Sequence, residues 1–148
     1  MAVKDVSVNR KAYHDYFIDE KYEAGLVLRG TEIKSLRAGK ASFQDTYVSF
    51  RNGEAWLKGL HISAYDFGNR HNHEEDRDRK LLLHKQELRK LQNKAKLQGY
   101  TLIPLRIYLK EGLAKVEIAL ARGKLLYDKR EDARIRTMKR EAEKAMKY

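Results

Sequence analysis

LRIYLKEGLAKVEIAL, residues 105–120, decides the fold. Leu105, Ile107 and Leu109 alternate with Arg106 and Tyr108; Ala114, Val116, Ile118 and Leu120 alternate with Lys115 and Glu117. A period of two puts the apolar set of each run on one face of a strand and the polar set on the other. Glu111-Gly112 between the runs is a two-residue hairpin turn. The same grammar recurs upstream. DTYVSFR (residues 45–51) and EAWLKGLHI (54–62) flank Asn52-Gly53, a pair suited to a turn whose central residues both take positive φ. YEAGLVLR (22–29) reads as a further strand with Leu26 and Leu28 on one face. Strands apolar on one side and wet on the other belong to an antiparallel sheet or small barrel.

Two helices fit between these strands. Thr31 to Gly39 reads as a short one, with Thr31 as N-cap, Ile33 and Leu36 on one side, and Gly39 at the left-handed C′ position. A longer one is expected over about Arg79 to Gln98, where Leu81, His84, Leu88, Leu91 and Ala95 make one stripe. Lys85, Arg89, Lys90, Lys94 and Lys96 lie largely off it. Gly99 ends this helix and Pro104 starts the next strand region. His84 is expected to be packed or interfacial. Residues 66–78 (DFGNRHNHEEDRD) read as a solvated loop. Five or six short strands with a helix between the hairpins predict a mainly β fold: a small closed antiparallel barrel of the oligonucleotide-binding type with flanking helices. An RRM-like sandwich is the competitor, and its RNP aromatic signature is absent. Residues 1–127 are expected to form the barrel domain and 128–148 a basic tail, disordered or helical, that folds on a partner.

The chain has 148 residues, 42% of them hydrophobic, which is enough for a core, and no cysteine, which excludes disulfides and thiolate chemistry. No apolar run approaches the roughly 20 residues of a membrane span, and MAVKDVSVNRK carries no signal-peptide pattern, so a soluble, cytoplasmic protein is expected. The net charge of +11 is concentrated: residues 77–96 carry +6 and residues 121–148 carry +5, while the rest is neutral. Two electropositive segments on a neutral body read as two phosphate-contacting surfaces.

Catalytic patterns are missing. No Ser/His/Asp order, Walker loop or Gly-x-Gly-x-x-Gly is present. Asp19-Glu20 and Asp76/Asp78 have no apolar pocket to raise a pKa. His71-Asn72-His73 spells a nuclease motif, but such a site needs ligands delivered from separate elements, so no metal is expected there. His14 is different, because it sits among Arg10, Lys11, Tyr13 and Tyr16, a grouping in which rings can stack on bases while cations hold phosphates. The expectation is a protein that is not an enzyme, takes no cofactor and binds RNA.

Four stretches in order, NRKAYHDYFIDEKYEAGLVLRGTEIKSLRAGKAS (9–42), RDRKLLLHKQEL (77–88), GYTLIPLRIYLKEGLAKVEIALARGK (99–124) and YDKRED (127–132), resemble the SsrA-binding protein (small protein B, SmpB) family over nearly the whole chain. The resemblance implies an oligonucleotide-binding barrel, a monomer, that binds the tRNA-like domain of transfer-messenger RNA. With that RNA it enters stalled ribosomes for trans-translation. Glu23, Leu82 and Lys115 match positions needed for RNA binding; Asn9, Arg10, Lys11, His14, Lys34, Arg37 and Lys40 fall in similar segments. Lys115, on the polar face of its strand, suits a phosphate. Glu23 suits a base edge or 2′-OH, or orients a neighbouring cation. For Leu82 the alternative to an RNA contact is that it packs its helix on the barrel. Tyr127, Asp128, Lys129, Arg130 and Met146 match tail positions that act in the small-subunit decoding region and the vacated mRNA channel. Glu75 departs from a frequent proline and Leu125 from a frequent lysine. The alternative reading is a ribosome-associated protein or general RNA chaperone.

Overall fold

Both hairpins form where the turn chemistry puts them. Asn52 and Gly53 have φ of 54° and 73°, and Glu111 and Gly112 have 55° and 78°, so each turn has the two left-handed residues that match strand twist. The computed structural model describes residues 3–65, 72–97 and 99–124. In chain order these make β1 (Val3–Val8), α1 (Arg10–Asp15), β2 (Tyr16–Leu26), α2 (Gly30–Arg37), β3 (Ala41–Arg51), β4 (Glu54–Ile62), β5 (Arg79–Leu82), α3 (Lys85–Ala95), β6 (Tyr100–Lys110) and β7 (Leu113–Gly123). The seven strands form one sheet in the order β1-β6-β7-β2-β5-β4-β3, with every pair antiparallel. β3, at one end of that order, packs against β6 and β1 at the other, so the sheet curls into a barrel. The fold is the expected mainly β barrel with flanking helices. The tail residues Tyr127, Asp128, Lys129, Arg130 and Met146, and Leu125, lie outside the described residues.

Leu57, Leu60, Ile62, Leu102, Val116 and Ile118 are fully buried in the interior, and Leu36 of α2 and Leu91 of α3 join the same cluster. A second, smaller cluster lies on the outer side. There Ala12 of α1 packs on Ile103, Leu105, Ala119 and Ala121. The alternation of residues 105–109 therefore breaks once. A register shift between Pro104 and Arg106 puts Leu105 under α1 and Ile107 inside the barrel. Pro104 does not open the strand. It lies within β6 at this irregularity, where a missing N–H is tolerated.

Other readings need correction. The helix expected from Arg79 begins only at Lys85; residues 79–82 are a strand. Within it Arg79 and Leu81 are buried while Lys80 and Leu82 face outward, a period of two hidden inside a longer run of helical spacing. His84 is the exposed N-cap of α3 rather than a packed residue. Leu88, Leu91 and Ala95 do form the buried stripe. α2 starts one residue early, with Arg29 as N-cap, and its Glu32 side chain accepts the Arg29 N–H at 2.7 Å. Gly39 ends it as expected: Lys40 N–H donates to Ser35 C=O (3.0 Å) and Gly39 N–H to Leu36 C=O (2.9 Å). Thr31 is not the cap. Its hydroxyl bonds His73 Nδ1 at 2.8 Å, and His73 Nε2 meets the Ile62 carbonyl at 2.8 Å. Nε2 therefore carries the hydrogen that the Ile62 carbonyl accepts. Residues 72–78 are the expected loop, with Glu74, Glu75 and Asp76 exposed, but His73 within it is buried with both ring nitrogens engaged. β1 had no sequence signal that was read.

The packing here centres on one charge. The Glu32 carboxylate is fully buried. Arg77 Nε donates to both its oxygens (3.2 and 3.1 Å), Arg77 also forms a close ion pair with it, and Arg79 Nε donates to Oε2 at 2.7 Å. Arg79 is itself fully buried and donates to the carbonyls of Leu60 and, at 3.0 Å, Glu75. Burial works to raise the Glu32 pKa, but Arg77, the Arg29 N–H and Arg79 together outweigh it and hold the group below its usual 4.5. Removing the carboxylate strands buried guanidinium charge. Glu32→Ala is expected to cost about 3–5 kcal/mol in urea unfolding. Because the folded pKa is depressed, Glu32's contribution is complete above the ordinary carboxylate range and is lost as pH falls through the lower folded value. The wild-type stability profile should show that acid-side fall, and the variant should lack Glu32's share of it.

Candidate nucleic-acid interface

Strand register builds one row of side chains from four separate parts of the sequence. Tyr108 on β6 pairs with Lys115 on β7, Lys115 with Gly25 on β2, and Gly25 with Leu82 on β5. The adjoining row, two residues along each strand, holds Arg106, Glu117 and Glu23. A two-residue step keeps the side chains on the same face, opposite the core. Gly25 leaves room in the row: a Cβ there would sit 3.3 Å from Leu82 Cβ. Leu82 is 54% exposed. It does not pack a helix on the barrel, because it sits on a strand and points away from the interior.

Glu23 is the polar centre. Its Oε2 accepts the Tyr108 hydroxyl and lies 3.5 Å from Lys110 Nζ. Its Oε1 has no partner among the described residues. The Tyr108 bond foremost, with the charges of Lys110 and Lys115 adding to it, holds the Glu23 carboxyl below its usual range against partial desolvation. Burial, then Glu23, pushes the Tyr108 hydroxyl well above its usual pKa, so it remains a donor. Arg106 stacks over the Tyr108 ring at 4.3 Å, donates to Asp5 Oδ1 at 2.7 Å and lies 3.7 Å from Glu117. Tyr108 is only 3% exposed, clamped between Arg106 and Glu23. The result is an ionised carboxylate, fixed at one oxygen and open at the other, beside a lysine and an exposed leucine. It can accept from a base amine or 2′-OH while Lys115 meets a phosphate.

The other expected residues are distributed differently. Asn9 is a structural cap: its Nδ2 donates to the Pro104 carbonyl at 2.9 Å and its Oδ1 accepts the Ala12 N–H at 3.3 Å, tying α1 to β6. Arg10, Lys11 and His14 stand exposed on α1, with Lys11 3.7 Å from Asp45 and His14 Nδ1 2.8 Å from Asp15. Between α1, β3 and β6 lies a cleft of about 340 Å³ lined by Lys11, Asp15, Tyr16, Phe43, Asp45 and Tyr47, among others. Lys34, Arg37 and Lys40 gather on and just after the last turn of α2, with Lys34 over the Tyr65 ring. The basic segment 77–96 is not one phosphate-facing surface. Arg77 and Arg79 serve Glu32, Lys80 pairs with Glu54 and Lys94 with Glu20. Lys85, Arg89, Lys90 and Lys96 remain exposed on or beside α3.

Tyr108, Arg106 and Glu117 were not singled out from sequence as site residues. The polar alternation placed them on the right face, but nothing local ties Tyr108 to Glu23, which lies 85 residues away.

The family model described as SmpB protein matches residues 6–148. The SsrA-binding protein of Geotalea uraniireducens (strain Rf4) is 59% identical over 147 residues, covering 99% of this chain and 97% of that protein. That of Bacillus cytotoxicus (strain DSM 22905 / CIP 110041 / 391-98 / NVH 391-98) is 55% identical over 144 residues, covering 97% and 93%. A solved chain described under “tmRNA-SmpB: a journey to the center of the bacterial ribosome” matches with TM-score 0.70 and 50% identity, over 86% of this chain and 94% of that one.

Tyr108→Phe removes the donor that holds Glu23 down. The Glu23 carboxyl is expected to titrate at higher pH in an NMR titration, closer to its ordinary value, with a stability cost of about 1 kcal/mol. The part of stability lost as pH falls through the Glu23 pKa should shrink in the same variant, because less depression remains.

Proposed function

The chain belongs to the SmpB protein family, and from that premise we propose that it binds the tRNA-like domain of transfer-messenger RNA (SsrA RNA) and delivers it to stalled bacterial ribosomes for trans-translation. It acts by binding and positioning RNA, not by catalysis. One observation carries the reading: Glu23, Leu82 and Lys115 come from β2, β5 and β7, yet strand register gathers them in adjoining rows on one outer face. A packing role alone does not call for an exposed leucine beside a half-open carboxylate and a lysine. In this reading Glu23 accepts a base-edge or ribose donor through Oε1, Lys115 meets a phosphate, and Leu82 lies against an apolar sugar or base face. Arg10, Lys11 and His14 extend the same contact. Lys34, Arg37 and Lys40 are assigned to the RNA on charge alone.

The second half of the proposal is the tail. Residues 1–127 form the RNA-binding body of a monomer, and residues 128–148 work in the small-subunit decoding region and empty mRNA channel. Tyr127 stacks on a base, Asp128, Lys129 and Arg130 begin the segment, and Met146 serves a step after initial binding. The setting is the cytoplasm; among the described residues no helix is long and apolar enough to cross a membrane.

Competition binding at physiological salt tests the first half. Transfer-messenger RNA is expected to displace ordinary tRNA and unstructured RNA, whereas a general RNA chaperone would show no such preference. Lys115→Ala should weaken binding about tenfold and reduce the salt slope by about 0.9, the loss of one duplex phosphate contact. A chain ending after Lys129 should bind the RNA as the full chain does and fail to support tagging in cells. Loss of RNA binding by that truncation would overturn the division of roles.

A further inference from the structure

The outer wall formed by β3, β4 and β5 holds a cluster that the Glu23 row does not use. The chain's sole tryptophan, Trp56, stands there. In β4 the neighbours Ala55 and Leu57 are buried inward, so Trp56 points out, half-buried on the surface. It pairs directly with Ser49 on β3 and Lys80 on β5. Arg51 stacks its guanidinium 4.8 Å from the indole centroid. One step along the strands, Tyr47 pairs with Lys58, and Tyr47 is 47% exposed. The single acid among these residues, Glu54, lies 3.5 Å from Lys80.

Three features point to the ligand. The wall carries Arg51, Lys58 and Lys80 against Glu54, so its local charge favours a polyanion. Two aromatic rings stand on adjacent strands, with the small Ser49 opposite the indole on β3, which suits successive bases on a stacking surface. The indole N–H is shielded from solvent and has no acceptor among the described residues. A buried unspent donor is costly. An incoming phosphate or base oxygen that reached it would satisfy it.

We infer that the Trp56 wall is a second RNA-contacting surface, one that takes an unpaired strand with bases on Trp56 and Tyr47 and phosphates on Arg51, Lys58 and Lys80. It goes beyond the binding proposed above and uses neither Glu23 nor Lys115. Leu82, next but one to Lys80 on the same outer face of β5, marks where the two surfaces adjoin.

Because Trp56 is the only tryptophan, its emission reports on this wall alone. The full chain is titrated with an unstructured RNA of about 12 nucleotides, following Trp56 emission and, in parallel, anisotropy of the labelled RNA. Quenching that saturates with binding is expected. Arg51→Ala with Lys80→Ala should bind this RNA about tenfold more weakly and lower the salt slope by about 1.4, two single-strand phosphates. Trp56→Phe should retain most affinity by anisotropy and Trp56→Ser should lose about tenfold. Lys115→Ala should leave the saturating quench intact, which separates this inference from the failure or success of the Glu23 reading. The inference is overturned if RNA binds without changing Trp56 emission. It is equally overturned if polyglutamate of matched charge quenches as strongly and displaces the RNA, which marks an acidic-protein surface. Should a variant fail to fold, the wild-type quench and the polyglutamate competition still decide.

Discussion

A buried carboxylate holds this barrel together. Glu32 leaves α2 and meets Arg77 and Arg79, so α2, β4, β5 and the segment before β5 converge on one charge. The geometry gives that convergence its importance. β5 has four residues and pairs two with β2 and three with β4. Yet among the described residues it is the only link in the strand order between β1-β6-β7-β2 on one side and β4-β3 on the other. So short a ladder supplies few hydrogen bonds. The side-chain clamp from Arg79 makes up the difference, and it also fixes register. A slip of one residue would bury Lys80, expose Arg79 and leave Glu32 without its partner.

The clamp acts inside the barrel, but its consequence is outside. When Arg79 and Leu81 point in, Lys80 and Leu82 must point out. Lys80 then falls beside Trp56, and Leu82 falls beside Gly25 in line with Lys115 and Tyr108. Both outer surfaces thus inherit their alignment from a buried ion pair that touches neither. The register shifts in β2 and β6 divide the rest of the outer face. Toward one end, small residues Ala119 and Ala121 let α1 lie close, with Ala12 as the contact. Beyond the shifts the positions become Glu23, Glu117, Arg106 and Tyr108, and the face is left open.

The hairpins were legible in sequence because their information is local: two turn residues and strict alternation on either side. The stop of α2 was legible for the same reason. Arg79 to Leu82 was misread because its side chains at 79 and 81 satisfy a strand whose partners lie far off, Glu32 and Leu60, while the neighbouring leucines also satisfy a helical stripe that is real from Leu88 onward. His73 was misread because a polar run looks like solvent-facing loop until Thr31 and the Ile62 carbonyl are brought to it. Within the interface, the polar face of β6 and β7 could be read from alternation, and the resemblance supplied Glu23, Leu82 and Lys115. The tie between Tyr108 and Glu23 required the register of three strands, which no short window contains.

Charge illustrates the same point. The +6 of residues 77–96 looked like one phosphate-binding stretch. In the fold, its first two arginines are spent on the buried Glu32, its lysine at 94 is matched to a carboxylate, Lys80 stands at the surface beside Glu54, and four cations remain exposed on and beside α3. Affinity for a polyanion depends on the cations that can exchange a counterion for a phosphate, and a guanidinium locked beneath a sheet contributes nothing to that exchange. The net charge therefore overstates the body's reach toward RNA. Specificity must come instead from the few groups whose geometry is fixed before the ligand arrives. Glu23 is such a group: Tyr108 holds one oxygen and, with Lys110 and Lys115, keeps the carboxyl ionised. In the proposed reading, an acid in that position repels a bare phosphate and rewards a donor, so it would discriminate by where the RNA presents its amines and hydroxyls relative to its backbone. That is a test of folded shape, which lysines alone cannot make.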